Sequence, residues 1–205
     1  IDGVRRLYGV EHTIIPDRIA GATYLLAAAI TGGDIILRNT NPQHMGAITN
    51  ALKEMGCKIY SEKNRVILSV AGRRLRSAGK LQTMPYPGFP TDIQSPFMAY
   101  LTTVEGASTV IETVFENRFM HVAEFNRMGA NIKTDGNCAL IPGGKKLQGA
   151  QVVATDLRAG AALILTGLVA EGTTEISDIY HIDRGYEKIV DKFRGLGATI
   201  IRIED

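Results

Sequence analysis

Three long apolar stretches along the chain predict three buried helices. Each begins shortly after an aspartate and ends near a glycine, and together they cover residues 20–30, 96–104 and 159–170. An aspartate is a common residue at the N-cap of a helix and a glycine is common just past its end, so both boundaries fit. A helix that is apolar on every side is buried in a core. The sequence therefore predicts a core with three helices at its centre.

The same succession of smaller elements follows each apolar stretch. A β-branched strand comes first, then an amphipathic helix, then a second strand. The amphipathic helices are predicted over residues 45–55, 120–128 and 186–196. From the opening aspartate to the glycine that ends the second helix, the offsets are 39, 37 and 41 residues. Such regular spacing indicates an internal threefold repeat.

The repeat predicts a single α/β (α+β) domain of three pseudo-symmetric units, with boundaries near 1–70, 71–142 and 143–205. Hairpins are expected to complete the first two units, through turns at 61–64 and 134–137. In the third unit a strand is expected over 198–203, with no return strand after it. Together with the absence of a methionine at Ile1, this predicts a piece of a longer protein.

Composition excludes several classes of function. The 23 basic and 21 acidic side chains give a formal net charge of +2, which is too balanced for a surface that binds nucleic acid or membranes. The longest strictly apolar run, residues 24–30, is too short to cross a membrane. Cys57 and Cys138 cannot form a four-ligand zinc site by themselves, and both are interpreted as small core residues.

Candidate chemistry is found where the predicted buried helices begin. Asp92 ends a proline-rich approach over 86–92, which would present its carboxylate rigidly. The spacing alone favours an N-cap only, because Asp17 and Asp156 occupy matching places. Arg158 sets a cation against the dipole of its own helix, which indicates either an anionic ligand or simple pairing with Asp156.

Two loops carry further candidate groups. Residues 112–121 combine charged, amide and aromatic side chains just after a strand, and form either a binding loop or an ion-paired loop with Phe115 and Phe119 in the core. In the other loop, over 180–186, Arg184 could hold a phosphate or a carboxylate at two points. A lone histidine such as His181 is more often structural than catalytic.

Four sequence strings at these places resemble the enolpyruvyl transferases, most closely the branch that uses UDP-N-acetylglucosamine. They are FPTDIQ at 89–94, ETVFENRFMHVAE at 112–124, ATDLRAGAALILTGLVAEGTT at 154–174 and YHIDRGYE at 180–187. The resemblance implies one of two domains, each made of three βαβαββ units, with buried helices inside and with sheets and outer helices around them. This chain resembles the domain formed mostly by the C-terminal half of that family. The family's N-terminal strand would then complete the third unit.

The resemblance also implies a reaction. The enolpyruvyl group of phosphoenolpyruvate would move to the 3′-hydroxyl of UDP-N-acetylglucosamine with release of phosphate, in the first committed step of peptidoglycan synthesis. The implied location is the cytoplasm, and no metal or organic cofactor is expected. The proton-donating cysteine of the family would lie in the other domain, so the chain alone is expected to be inactive.

Residue roles follow from the same resemblance. Asp92 would contact the 3′-hydroxyl and act as general base, while Val114 and Phe115 would contact the nucleotide sugar. Arg184 would close on phosphoenolpyruvate. Further polar residues of the cleft would be Arg118, Asp156 and Arg158. Two alternatives stay open, namely a sister transferase that acts on shikimate 3-phosphate and a non-catalytic interaction module with this fold.

Overall fold

The described part of the chain, which is residues 2–73 and 75–203 of a computed structural model, contains seven α-helices, nine strands and two short 3-10 helices, over Pro42–Met45 and Thr91–Ile93. Ile1, Arg74, Glu204 and Asp205 lie outside the described residues. In chain order the helices are α1 (Arg18–Thr31), α2 (Gly46–Glu54), α3 (Gln94–Thr103), α4 (Val122–Arg127), α5 (Leu157–Gly167), α6 (Tyr180–Asp183) and α7 (Ile189–Gly195). The strands are β1 (Asp34–Arg38), β2 (Lys58–Glu62), β3 (Arg65–Ser69), β4 (Lys80–Gln82), β5 (Ser108–Ile111), β6 (Lys133–Asp135), β7 (Cys138–Ile141), β8 (Gln151–Val153) and β9 (Glu175–Ser177).

Helices α1, α3 and α5 lie at the centre of the fold, as predicted from their apolar sequences. Each of the three packs against the other two. Helix α3 is buried along nine successive residues, from Gln94 to Thr102. Full burial of a large aliphatic or aromatic side chain contributes about 1.5–3 kcal/mol, so residues such as Phe97 and Leu101 are major contributors to stability.

Three small sheets surround the buried helices. The first has the order β1-β3-β2 and is antiparallel throughout. The second has the order β4-β5-β7-β6, in which β4 and β5 run parallel and the remaining pairs are antiparallel. The third consists of the parallel pair β8-β9. The two predicted hairpins, β2-β3 and β6-β7, are confirmed.

The predicted strand over 198–203 is wrong. Residues 198–203 form no strand, and Ile201 and Ile203 are 68% and 70% exposed. A side chain holds this segment instead, because Arg194 Nε donates a hydrogen bond of 2.7 Å to the carbonyl of Ile200. A strand requires a neighbour to accept and donate its backbone hydrogen bonds, and the described residues place none beside this segment.

The outer helices are shorter than the sequence predicts, and α6 was not predicted. Helices α2, α4 and α7 lie inside the predicted ranges but begin one to three residues later.

Among the described residues, one complete repeat has the order βαβαββ, formed by β4, α3, β5, α4, β6 and β7. Residues 2–17 contain no strand, and residues 196–203 form no hairpin after α7.

The N-terminal ends of the three buried helices lie at the same end of the core. The guanidinium of Arg18, the first residue of α1, lies 5.1 Å from the ring of Tyr86, in the loop that leads to α3. The start of α3 in turn reaches the start of α5, because Asp92 contacts Arg158. This end of the molecule therefore combines three positive helix dipole ends with the polar loops of the sequence motifs.

Candidate active site

Asp92 lies between two arginines at the start of α3. Its Oδ1 is 3.3 Å from Nη2 of Arg118, and its Oδ2 is 3.5 Å from Nη2 of Arg158. The Asp92 side chain is 48% exposed, whereas those of Arg118 and Arg158 are 9% and 16% exposed. The arrangement offers a carboxylate that a ligand can reach, held in place by two sheltered cations.

The interpretation of Asp92 as an N-cap only is wrong. Asp17 caps α1 and Asp156 caps α5, each accepting two backbone N–H groups at 2.7–3.1 Å through Oδ1. At α3, a short 3-10 turn over Thr91–Ile93 comes before the helix and is capped by Pro90 instead. Asp92 lies inside that turn, where its side chain makes no capping hydrogen bond. Its carboxylate is thereby available for other chemistry.

Arg158 is held in the site by Asp92 and Tyr186. Its guanidinium lies 6.0 Å from the ring of Tyr186, whose hydroxyl forms a 2.9 Å hydrogen bond with the hydroxyl of Thr23 in α1. Burial opposes the charge on Arg158, but Tyr186 and Asp92 outweigh it and raise the pKa of the guanidinium. Simple pairing of Arg158 with the Asp156 side chain is wrong, since Asp156 caps α5.

Phe115 is presented to solvent next to the arginine pair. The Arg118 guanidinium lies 5.0 Å from the Phe115 ring, within reach of a cation–π interaction. Phe115 is 57% exposed and Val114 is 44% exposed, so the interpretation that places Phe115 in the core is wrong. Phe119 does pack against the core. An exposed ring beside a fixed cation is a suitable surface for a planar ligand group.

Glu112 is buried beneath this loop and accepts hydrogen bonds from it, and the sequence interpretation did not assign it a role. Its side chain is 3% exposed, and its Oε1 accepts hydrogen bonds from the Thr83 hydroxyl at 2.7 Å and from the N–H groups of Val114 and Phe115 at 2.8 and 3.0 Å. Its Oε2 accepts a hydrogen bond from the Thr91 hydroxyl at 2.9 Å. The alternation of a β-strand could have indicated that Glu112 is buried, because residues 108, 110 and 112 lie on the same face of the strand and only the last is charged.

His121 is enclosed in the protein behind Arg118 and Asp156. It is fully buried, it packs edge-on against Phe125, and neither of its ring nitrogens has a hydrogen-bond partner among the described residues. Burial lowers its pKa to about 4, and the nearby charge of Asp156 opposes that shift only in part. The imidazole is therefore neutral at pH 7 and adds no charge to the site.

Arg184 does not join the cluster around Asp92. It lies at the C-terminal end of α6 and is exposed, and its side chain makes no hydrogen bond or ion pair within the described part of the chain. Its neighbour Asp183 forms two hydrogen bonds of 2.9 and 2.8 Å with Arg202, which lower the pKa of that carboxyl. Arg184 is thus an exposed cation on a long, flexible side chain, two residues before Tyr186 in the sequence.

Cys57 belongs to the core and lies apart from the cluster around Asp92. Cys57 is buried with Sγ 3.5 Å from the Tyr100 hydroxyl, and burial raises the pKa of its thiol. Its interpretation as a small core residue is confirmed. Across residues 2–73 and 75–203 no group of three or more His, Cys, Asp or Glu side chains could hold a metal ion. In the same residues no helix is long and apolar enough to cross a membrane.

Curated relatives match nearly the whole chain. A UDP-N-acetylglucosamine 1-carboxyvinyltransferase 1 from Caldanaerobacter subterraneus subsp. tengcongensis is 55% identical over 202 residues, which are 98% of this chain and 48% of that protein. A UDP-N-acetylglucosamine 1-carboxyvinyltransferase from Finegoldia magna is 54% identical over 204 residues, which are 100% of this chain and 48% of that protein. The chain spans about half the length of the curated relatives it matches.

Solved structures share the fold. The enolpyruvyl transferase NikO from Streptomyces tendae superposes with a TM-score of 0.81 at 28% identity, over 92% of this chain and 44% of that one. An EPSP synthase from Acinetobacter baumannii gives a TM-score of 0.66 at 19% identity, over 86% of this chain and 44% of that one. The expected fold class, an α/β domain of the enolpyruvyl transferase type, is confirmed.

A family model supplies the assignment. The model described as EPSP synthase (3-phosphoshikimate 1-carboxyvinyltransferase) matches residues 1–193. It covers all the helices from α1 to α6, most of α7, and every residue of the site described above. The chain belongs to the EPSP synthase family of enolpyruvyl transferases.

Proposed function

We propose that this chain is the C-terminal-half domain of a UDP-N-acetylglucosamine 1-carboxyvinyltransferase. The names of relatives at 54–55% identity support this substrate, and their length supports a second domain of similar size. The complete enzyme would transfer the enolpyruvyl group of phosphoenolpyruvate to UDP-N-acetylglucosamine in the cytoplasm. We also propose that residues 1–205 are one domain of three units, divided near 70 and 142.

The observation that carries this proposal is the different use of three matching aspartates. Asp17 and Asp156 cap their helices, whereas Asp92 is turned out of the capping position and toward Arg118 and Arg158. A structural role alone would not require that difference. It leaves one reachable carboxylate at the end of the core where three helix N-termini add positive potential.

In the proposed mechanism Asp92 acts as the general base. It takes the proton of the acceptor 3′-hydroxyl while that oxygen bonds to C2 of phosphoenolpyruvate, and a proton from the other domain is added at C3. The resulting tetrahedral adduct then loses phosphate from C2 and a proton from C3, which restores the double bond. Arg118 and Arg158 keep the base in position and oppose the negative charge that develops near it.

Val114 and Phe115 are proposed to contact the nucleotide sugar. Glu112 occupies both of their N–H groups, so the backbone groups of these two residues that a ligand can use are their carbonyls. The exposed Phe115 ring supplies an apolar face that Arg118 holds in orientation. Asp156 shapes the same wall by fixing the start of α5, with Arg158 on its first turn.

Arg184 is proposed to bind phosphoenolpyruvate when the two domains close. It is exposed and has no partner within the described part of the chain, so it can move onto an anion without first breaking an ion pair. A guanidinium can form two hydrogen bonds to a phosphate or to a carboxylate, and phosphoenolpyruvate carries both groups. The rigid cluster around Asp92 would then receive the acceptor while Arg184 delivers the donor.

Two variants of the complete protein separate catalysis from a scaffold role. Asp92→Asn and Arg184→Ala are each expected to lower turnover at least about a hundredfold, because a general base and a transition-state cation are each typically worth that much. Phosphate release from phosphoenolpyruvate in the presence of UDP-N-acetylglucosamine measures this directly. Unchanged rates in both variants would favour a non-catalytic module.

The isolated 205-residue chain provides a second test. It is expected to show no transferase activity, because the proton donor for C3 would come from the other domain. Neither Cys57, which is buried, nor Cys138, in β7, lies at the site described here. Turnover by the purified chain without a complementing domain would contradict the proposal.

A further inference from the structure

We propose that Glu112 is a positioning residue that fixes the general base and the nucleotide-sugar loop relative to each other. This inference rests on the proposed function. Glu112 touches no substrate group in the proposal, since its side chain is 3% exposed. Its two carboxylate oxygens instead connect two separate parts of the site, and one buried side chain therefore sets the geometry of both.

The first connection holds the loop. Oε1 of Glu112 accepts the N–H groups of Val114 at 2.8 Å and of Phe115 at 3.0 Å, which closes a tight turn immediately after β5. Without this acceptor, two adjacent N–H groups would be unpaired, and the turn that exposes the Phe115 ring would lose its restraint. The placement of the ring beside Arg118 follows from that turn.

The second connection holds the base. Oε2 of Glu112 accepts the hydroxyl of Thr91 at 2.9 Å, and Thr91 immediately precedes Asp92 in the short turn that displaces it from the capping position. Thr83 anchors the carboxylate itself, since its hydroxyl donates to Oε1 at 2.7 Å and accepts the N–H of Thr113 at 2.9 Å. The network thus joins β4, β5 and the start of α3 behind the site.

A carboxylate suits this network because both of its oxygens accept hydrogen bonds. Four donors converge on two oxygens of one side chain, and a buried charge is tolerated only where such hydrogen bonds compensate its desolvation. Glutamine keeps one oxygen and can donate to Thr91 through its amide, because a threonine hydroxyl can also accept. Alanine removes both connections, and Thr91→Val removes only the connection to Asp92.

The test uses steady-state kinetics of the complete protein with both substrates varied. Thr91→Val is expected to lower kcat about tenfold or more, with KM for UDP-N-acetylglucosamine changed less than about twofold, since small displacements of catalytic groups have effects of this size. Glu112→Ala is expected to lower kcat and also to raise KM for UDP-N-acetylglucosamine about tenfold, with KM for phosphoenolpyruvate nearly unchanged. In Glu112→Gln, KM for UDP-N-acetylglucosamine is expected to stay close to the wild-type value.

Glu124→Ala is the matched control. Glu124 is also a buried glutamate, 8% exposed; its Oε2 accepts one backbone N–H, that of Val153 at 3.1 Å, and lies 3.5 Å from Nε of Arg127, with no hydrogen bond to Thr91 or to the loop after β5. It is expected to lower stability without the substrate-selective change in KM. If Glu112→Ala does not fold, the kinetics of Thr91→Val and Glu112→Gln still test whether Glu112 positions the site.

The outcomes are distinguishable. No enolpyruvyl transfer by the wild-type complete protein would overturn the proposed function itself. An active wild type with unchanged kcat in Thr91→Val would overturn the inference alone. Equal losses with both substrates in Glu112→Ala and Glu124→Ala would also overturn it, since they would show a structural role only.

Discussion

Replacing Asp92 by alanine should separate the rate of the reaction from the stability of the fold. The Asp92 carboxylate is 48% exposed, and its contacts to Arg118 and Arg158 are 3.3 and 3.5 Å. Water can replace the contacts of the half-exposed carboxylate, but the two sheltered arginines lose a partner, so the free energy of unfolding should fall by about 1–2 kcal/mol. Loss of a general base should lower kcat by about 10²–10⁴-fold, or roughly 3–5 kcal/mol of activation free energy.

Asp17→Ala is the control for this prediction, because Asp17 occupies the matching place at α1 and serves as a cap. Its Oδ1 accepts the N–H groups of Ile19 and Ala20 at 2.8 and 3.1 Å, and losing such a cap costs about 1 kcal/mol. Urea denaturation should show similar small losses for the two variants, while phosphate release falls only in Asp92→Ala. Equal turnover in the two variants would refute the assignment of Asp92.

Two further predictions concern the core. The pKa of His121 is about 4 in the folded protein, against an ordinary value of 6.5, so the folded state should lose up to about 3 kcal/mol of stability as the pH falls from 6.5 to 4. In His121→Gln the urea denaturation midpoint should therefore depend less on pH over that range than in the wild type. The same pH dependence in both proteins would contradict this. Gly160→Ala would place a Cβ 2.5 Å from Cγ1 of Ile182, so it should lower the free energy of unfolding by about 1–3 kcal/mol, whereas Gly195→Ala meets no atom within 4 Å and should not.

The architecture was largely predictable because it depends on local patterns. The apolar runs that became α1, α3 and α5 and the hairpin turns at 61–64 and 134–137 all depend on a few neighbouring residues. The segment over 198–203 was not predictable in this way. Its sequence has strand character, but a strand forms only beside a partner, and partner availability is not a local property.

The sequence predicted most members of the site, with Glu112 as the exception, but not their arrangement. Asp92 looked like Asp17 and Asp156 in sequence, and only the turn over Thr91–Ile93 sets it apart. The role of Glu112 depends on hydrogen bonds to residues 21 and 29 positions away in the chain, which no local pattern encodes. Arg184 was identified by its motif, while its lack of contact with Asp92 emerged only from the fold.

Acceptor selection by the complete protein tests the central proposal most directly. Phosphate release from phosphoenolpyruvate should be measured with UDP-N-acetylglucosamine and, separately, with shikimate 3-phosphate as acceptor. The account predicts turnover with the nucleotide sugar, none with shikimate 3-phosphate, and loss of the former in Asp92→Asn. Turnover with shikimate 3-phosphate alone, or with neither acceptor, would contradict it.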